Sequence, residues 1–346
     1  FKQKNYNEAQ KWFRKFISFY NNNDEPTELI ADSYLRIGDC FFTQRKFDYA
    51  LDYYKKVIET EKGNIPYALY QAGICYGLLG KYNEKVITLA KLINDYENVP
   101  YIDDALFEQG NAYMQMQEYQ MAEMDFKRII SDFPKSKYVP DAYMALGLIY
   151  FNKEDYAQSK KYYQAVIDKF KGTKYFNEAL QVLKTIYVEE GNVQNYTQLL
   201  QQKGLENYIN ETEEDSLTYL AAEKFYMKNN CSKAIEMFKE YLEKFYNGKY
   251  VANANFYIAE CLLSLNKTES ALEYYKNVSE LATSKFTELA LLRASKIAYK
   301  LEMWEEAYYL YKQLYETAGN TESVKKALLG MAKTAYKLGE YDKAQK

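Results

Sequence analysis

Residues 133–170 read FPKSKYVPDAYMALGLIYFNKEDYAQSKKYYQAVIDKF. Apolar residues in this stretch recur at helical spacing in two blocks, separated by the polar turn Asn152-Lys153-Glu154-Asp155. That pattern predicts two amphipathic helices joined by a tight turn. A small residue, Gly147, sits inside the first block. Ala142 lies five positions before it, Tyr150 three after, Tyr156 nine after and Ser159 twelve after. Small residues at these places let the two backbones approach closely, and large rings fill the gaps against the next pair.

The same landmarks recur outward from this copy. Gly38, Gly73 and Gly110 occupy the small position upstream, with Ser33, Ala68 and Ala105 five before and Phe41, Tyr76 and Tyr113 three after. Phe47, Tyr82 and Tyr119 stand nine after; Ala50 and Ala122 stand twelve after, with Lys85 as the exception. Downstream the frame weakens but holds. Ala222, Ala259, Ser295 and Ala332 take the small position, and Ala234, Ala271, Ala307 and Ala344 follow twelve later. Lys184 marks a degraded fifth copy. Successive steps are 35, 37, 37, 37, 38, 37, 36 and 37 residues. One helix pair cannot bury its apolar face alone, so such copies stack. The expected fold is therefore all-α: an α-α superhelix of about nine helix-turn-helix repeats.

Bulk properties agree. Hydrophobic residues make up 48% of the 346, while Pro numbers 5 and Gly 14, a scarcity of breakers that favours helices with short turns. The 45 basic and 48 acidic residues leave a net charge of −3, without the basic excess expected of a nucleic-acid binder. No apolar run is long enough to cross a bilayer, so no direct membrane insertion is expected. Histidine is absent, which removes His-based triads, His metal ligands and imidazole acid–base catalysis. Cys40, Cys75 and Cys261 share one slot, two after the small residue, and read with Cys231 as unpaired, mostly buried thiols. Cys231 and Cys261 alone could approach each other. No catalytic residue, metal site or cofactor is expected.

These landmarks resemble the tetratricopeptide repeat, over nearly the whole chain. The Phe-Pro-x-Ser-x-Tyr lead-in at Phe133–Tyr138 and the long period are similar to envelope-associated bacterial members, of the outer-membrane assembly lipoprotein and Tol–Pal-linked type, and to long Bacteroidota arrays. The resemblance implies a scaffold that binds a protein or peptide partner in a concave groove lined by the first helices. It leans towards the periplasm or the inner face of the outer membrane, with the cytoplasm left open.

Inward positions then lie six and three before the small residue, and one, four and five after. They supply Phe42, Tyr67, Tyr70, Phe107, Asn111, Met114, Met144 and Phe151 among Asp32, Asp39, Asp104 and Asp141. The last copies supply Tyr299 and Tyr336 among Lys296, Lys300 and Lys333. The groove is thus expected to be acidic at one end and basic at the other. Of the Lys and Asn pattern that clamps C-terminal carboxylates, only Asn111 matches.

The organisation expected is a lone second helix at 1–27 and a regular sub-array at 28–178. A degenerate repeat with an acidic loop, a candidate joint, follows at 179–215, and a second sub-array at 216–346. The run Glu211, Glu213, Glu214 and Asp215 reads as a solvated loop or a hinge. Both ends fall inside a repeat, so a longer natural chain is expected, in which the array could regulate a catalytic or membrane domain. A carboxylate-based glycosidase is a further alternative, requiring paired acids in a deep pocket.

Overall fold

The computed structural model describes residues 5–20, 27–96, 99–281 and 284–345. Among them are 19 α-helices, one short 3-10 turn and no strand. The chain divides into two compact units, 1–182 and 183–346. The first unit holds α1 (Tyr6–Tyr20), α2 (Glu28–Thr43), α3 (Phe47–Glu59), α4 (Ile65–Leu78), α5 (Tyr82–Asp95), α6 (Ile102–Gln115), α7 (Tyr119–Asp132), α8 (Val139–Asn152) and α9 (Tyr156–Lys169). The division falls inside α10 (Lys174–Glu189). The second unit continues with α11 (Val193–Gln202), α12 (Glu211–Met227), α13 (Cys231–Lys244), α14 (Val251–Ser264), α15 (Thr268–Glu280), α16 (Thr287–Lys300), α17 (Trp304–Thr317), α18 (Thr321–Lys337) and α19 (Tyr341–Gln345).

From α1 to α9, and again from α12 to α19, each helix packs on the next. First helices also touch first helices one copy on, as α4 does α6, α12 does α14 and α16 does α18. The small residue explains the tight pairing. A Cβ built on Gly147 lies 2.7 Å from the Tyr163 ring, and one on Gly73 lies 2.5 Å from Leu89. The covering side chain stands sixteen positions after the small residue, on the second helix of the same pair. Tyr54, Phe126, Tyr163, Phe238 and Tyr275 all occupy this place and are buried. These rings cap their own repeat, a role the sequence reading did not assign, in addition to the rings that meet the next pair. Lys85, the exception among the small residues, is buried with its ammonium paired to Glu108 of α6.

The turns are uniform. The seventh residue after each small position, from Arg45 to Gly339, has a φ between 57° and 77° in all nine copies. The N–H of the next residue then donates back to the carbonyl three after the small position, as Lys46 does to Phe41 and Asp155 to Tyr150, both at 2.9 Å. This is a Schellman closure, which satisfies orphan carbonyls without any side chain.

The acidic run is not a loop. It forms the first turns of α12, where Asn210 accepts from the N–H of Glu213 at 2.8 Å. Carboxylates there face the positive end of the helix dipole. Asp215 is buried, accepting from the Tyr241 hydroxyl at 2.6 Å and the Lys249 N–H at 2.9 Å. Glu213 pairs with Lys184 and Glu214 with Lys244. Cys40, Cys75 and Cys261 are buried and unbridged; Cys231 lies 3.2 Å from the Ser264 hydroxyl, also unbridged.

Candidate functional site

Two arrangements of the first-helix face emerge, one in each unit. In the first unit the face is largely engaged with itself. The ring three before one small residue stacks on the ring nine before the next. Phe107 of α6 lies on Tyr138 at 4.2 Å and 15°, and Tyr70 of α4 on Tyr101 at 5.8 Å and 29°. Tyrosine hydroxyls in this series bond to aspartates of the preceding copy. Tyr138 donates to Asp104 at 2.7 Å, Tyr175 to Asp141 at 2.8 Å, and Tyr67 to Asp39 at 3.2 Å.

The aspartates expected to line an acidic groove are thus engaged within the array. Asp39, Asp104 and Asp141 hold hydroxyls, and Lys137 also pairs with Asp104. Burial raises the Asp39 carboxyl, against the lowering effect of the bonds from Tyr54, Tyr67 and Arg36. Burial likewise pushes the Tyr67 hydroxyl up to about 12, with the Asp39 charge adding to it. Asp32 pairs with Arg36 of its own helix.

Of the expected partner-binding residues in this unit, Phe42, Tyr67, Tyr70, Phe107, Asn111, Met114, Met144 and Phe151 are all half-buried. Phe42 meets the edge of Phe47, and Phe151 lies against Tyr156. Leu148 is the more open apolar side chain of α8.

The ring ladder continues in the second unit, where Tyr219 stacks on Tyr250 at 4.3 Å and Phe256 on Phe286 at 4.4 Å. It stops at α16. Leu292 takes the place three before, and Ser323 the place nine before in the next copy. Beyond this point the face opens. Lys296, Lys300 and Lys333 are exposed, and none makes an ion pair among the described residues. Tyr336 is 64% exposed, with its ring edge-on to Tyr341; Tyr299 is half-buried beside Trp304.

A polar cleft of ≈ 660 Å³ also lies in the second unit between α11, α12 and α13, lined by Asn192, Thr218, Lys233 and Glu240 among others. The helix beside it, α11, has 10 residues against the 14 of α13. Among the described residues no cluster of three or more metal-ligating side chains forms, and no helix is long and apolar enough to cross a membrane.

Models of the tetratricopeptide repeat match residues 32–61, 67–98, 104–136, 140–168 and 219–279, together more than half of the chain. Among solved structures, MamA from Desulfovibrio magneticus RS-1 is 22% identical with a TM-score of 0.42, over 52% of this chain and 97% of that one. A tetratricopeptide repeat protein from Parabacteroides merdae is 13% identical with a TM-score of 0.37, over 77% and 98%. The Naa15/Naa10 complex bound to HypK contains a chain 12% identical with a TM-score of 0.50, over 97% of this chain and 53% of that one, a likeness of fold. No curated protein sequence matches the chain. With its nine-fold small-residue frame and its matched repeats, the chain belongs to the tetratricopeptide repeat family.

Proposed function

We propose that this chain is a non-catalytic scaffold that holds a partner protein or peptide on the face of its first helices. One observation carries the reading. At Leu148, Lys296, Lys333 and Tyr336, one or four positions after the small residue, large or charged first-helix side chains stand in solvent. Exposed apolar side chains flanked by charge suit recognition of a peptide or partner helix.

The test is site-specific photo-crosslinking with benzoylphenylalanine placed at Leu148 or Tyr336 on first helices, and at Tyr49 or Ile87 on second helices. Discrete crosslinks to a partner chain from the first-helix sites alone support the reading. Equal crosslinking from Tyr49 and Ile87 moves the interface to the other side. We also propose a bacterial envelope setting, periplasmic or at the inner face of the outer membrane, supported by the lead-in motif at Phe133–Tyr138. Fractionation of source cells tests it, and recovery with cytoplasmic markers overturns it.

A further inference from the structure

The stripe along α16 repeats, residue type for residue type, along α18. Three before the small residue stand Leu292 and Leu329; one after, Lys296 and Lys333; four after, Tyr299 and Tyr336; five after, Lys300 and Lys337. The two helices are direct neighbours. Equivalent positions on packed helices lie about 10 Å apart, and residues one turn apart on a helix face about 6 Å apart. The product is a small field of cations set among apolar side chains. Its open members are Leu289, Lys296, Lys300, Leu329, Lys333, Tyr336 and Lys337, the last lying over the Trp304 ring at 5.6 Å.

Elsewhere in the second unit, several lysines that reach a neighbouring helix find a carboxylate, as Lys184 finds Glu213, Lys244 finds Glu214 and Lys276 finds Glu306. Three acids on or beside these helices are already engaged. Glu322 pairs with Lys326, Glu260 with Arg293, and Glu288 with the Asn320 and Ser323 cap of α18. The charge on this face is therefore unanswered from within.

Resting on the scaffold reading, we propose that the α16/α18 face docks an acidic segment of a partner protein, with carboxylates one helical turn apart and apolar side chains between them. Complementary charge fixes where such a segment lands, and the leucine and tyrosine surface supplies burial. A nucleic-acid ligand is disfavoured. Four exposed lysines over two helices neutralise few phosphates, and the chain as a whole carries a charge of −3.

The experiment uses the full chain and a fluorescein-labelled 15-residue peptide of Glu at i, i+4 spacing with Leu and Phe between. Anisotropy gives its affinity. Of three controls, the first is a peptide with Ser and Gly in place of Leu and Phe, and the second a single-stranded 15-mer of DNA. The third is vesicles of equal phosphatidylglycerol and phosphatidylcholine. Binding is expected to weaken at least about tenfold in the double variant Lys296→Glu, Lys333→Glu. It should weaken about threefold or more in Tyr336→Ala, and about tenfold for the Ser/Gly peptide. All substituted side chains are exposed, and circular dichroism checks that both variants fold.

No binding, binding indifferent to these substitutions, or equal binding of the Ser/Gly peptide overturns the proposal. So does displacement of the peptide by the DNA or the vesicles. If the peptide fails while first-helix crosslinks still form, the acidic-segment proposal falls and the scaffold reading stands. If both fail, both fall.

Discussion

The first-helix faces of α4, α6 and α8 and those of α16 and α18 use the same repeat slots in opposite ways. In the former, rings and aspartates turn along the stack. Phe107 covers Tyr138, whose hydroxyl bonds Asp104, and the polar groups are satisfied inside the array. In the latter, leucine and serine replace the stacking pair, and lysines and a tyrosine are left to solvent. The contrast separates cohesion from recognition. A residue type at a given slot does not announce which of the two it serves; its neighbour one copy away does.

The sharpest way to break the contrast is to remove what underlies the closed face. Phe126 is buried on Gly110 and meets Phe107 edge-on at 6.3 Å. Phe126→Ala is expected to cost about 3–5 kcal/mol, measured by urea unfolding, and to free the Phe107 ring. Next in size is a pH effect in the first unit. Burial pushes the Asp125 carboxyl up to about 7, with Arg128 pulling weakly the other way, and its Oδ2 has no hydrogen-bond partner. Since its folded value lies above the unfolded one, the associated stability is full below about pH 4 and is lost as pH rises towards 7. Asp125→Asn should flatten that fall and gain about 2–4 kcal/mol at pH 8, read from unfolding at pH 4, 6 and 8.

The contrast itself is tested by a matched pair. Tyr138→Ala loses a stack and a hydroxyl bond and should cost about 2 kcal/mol. Tyr336→Ala, at an open site, should change stability by no more than about 0.5 kcal/mol. Equal costs would erase the distinction between the two faces. A further small effect concerns a feature both regions share. Glu154→Gly relieves a non-glycine residue at φ 59° and is expected to gain about 0.5–1 kcal/mol, seen as a higher melting temperature.

Much of this architecture was legible because its signals are local. The small residue, the Ala twelve later and the polar turn lie within one copy, and their spacing alone locates each helix pair. The ladder was less legible, since Phe107 meets Tyr138 only through stacking of copies. For the same reason, aspartates that look like groove charges proved to be acceptors for tyrosine hydroxyls. The acidic run was misread although the signal was present. Asn210 followed three residues later by Glu213 is a helix start, and the charge count obscured it. The lysines of α16 and α18 were visible as a basic stripe, but their lack of internal partners is a property of the packed structure.

Because every turn closes with the same main-chain bonds, the array is built to be edited in whole units. Excising residues 118–154 would join Gln117 to Asp155 at equivalent points of two turns. Tyr163 would then cover Gly110 as Phe126 does now, Phe107 would face Tyr175 instead of Tyr138, and Asp104 would receive the Tyr175 hydroxyl. These severed contacts have a chemical equivalent waiting one period away, whereas the Lys169 bond to Tyr143 is lost because Leu106 takes that place. Length in this protein is thus a quantity that inheritance can change by duplication or loss of a copy, without redesigning the joints.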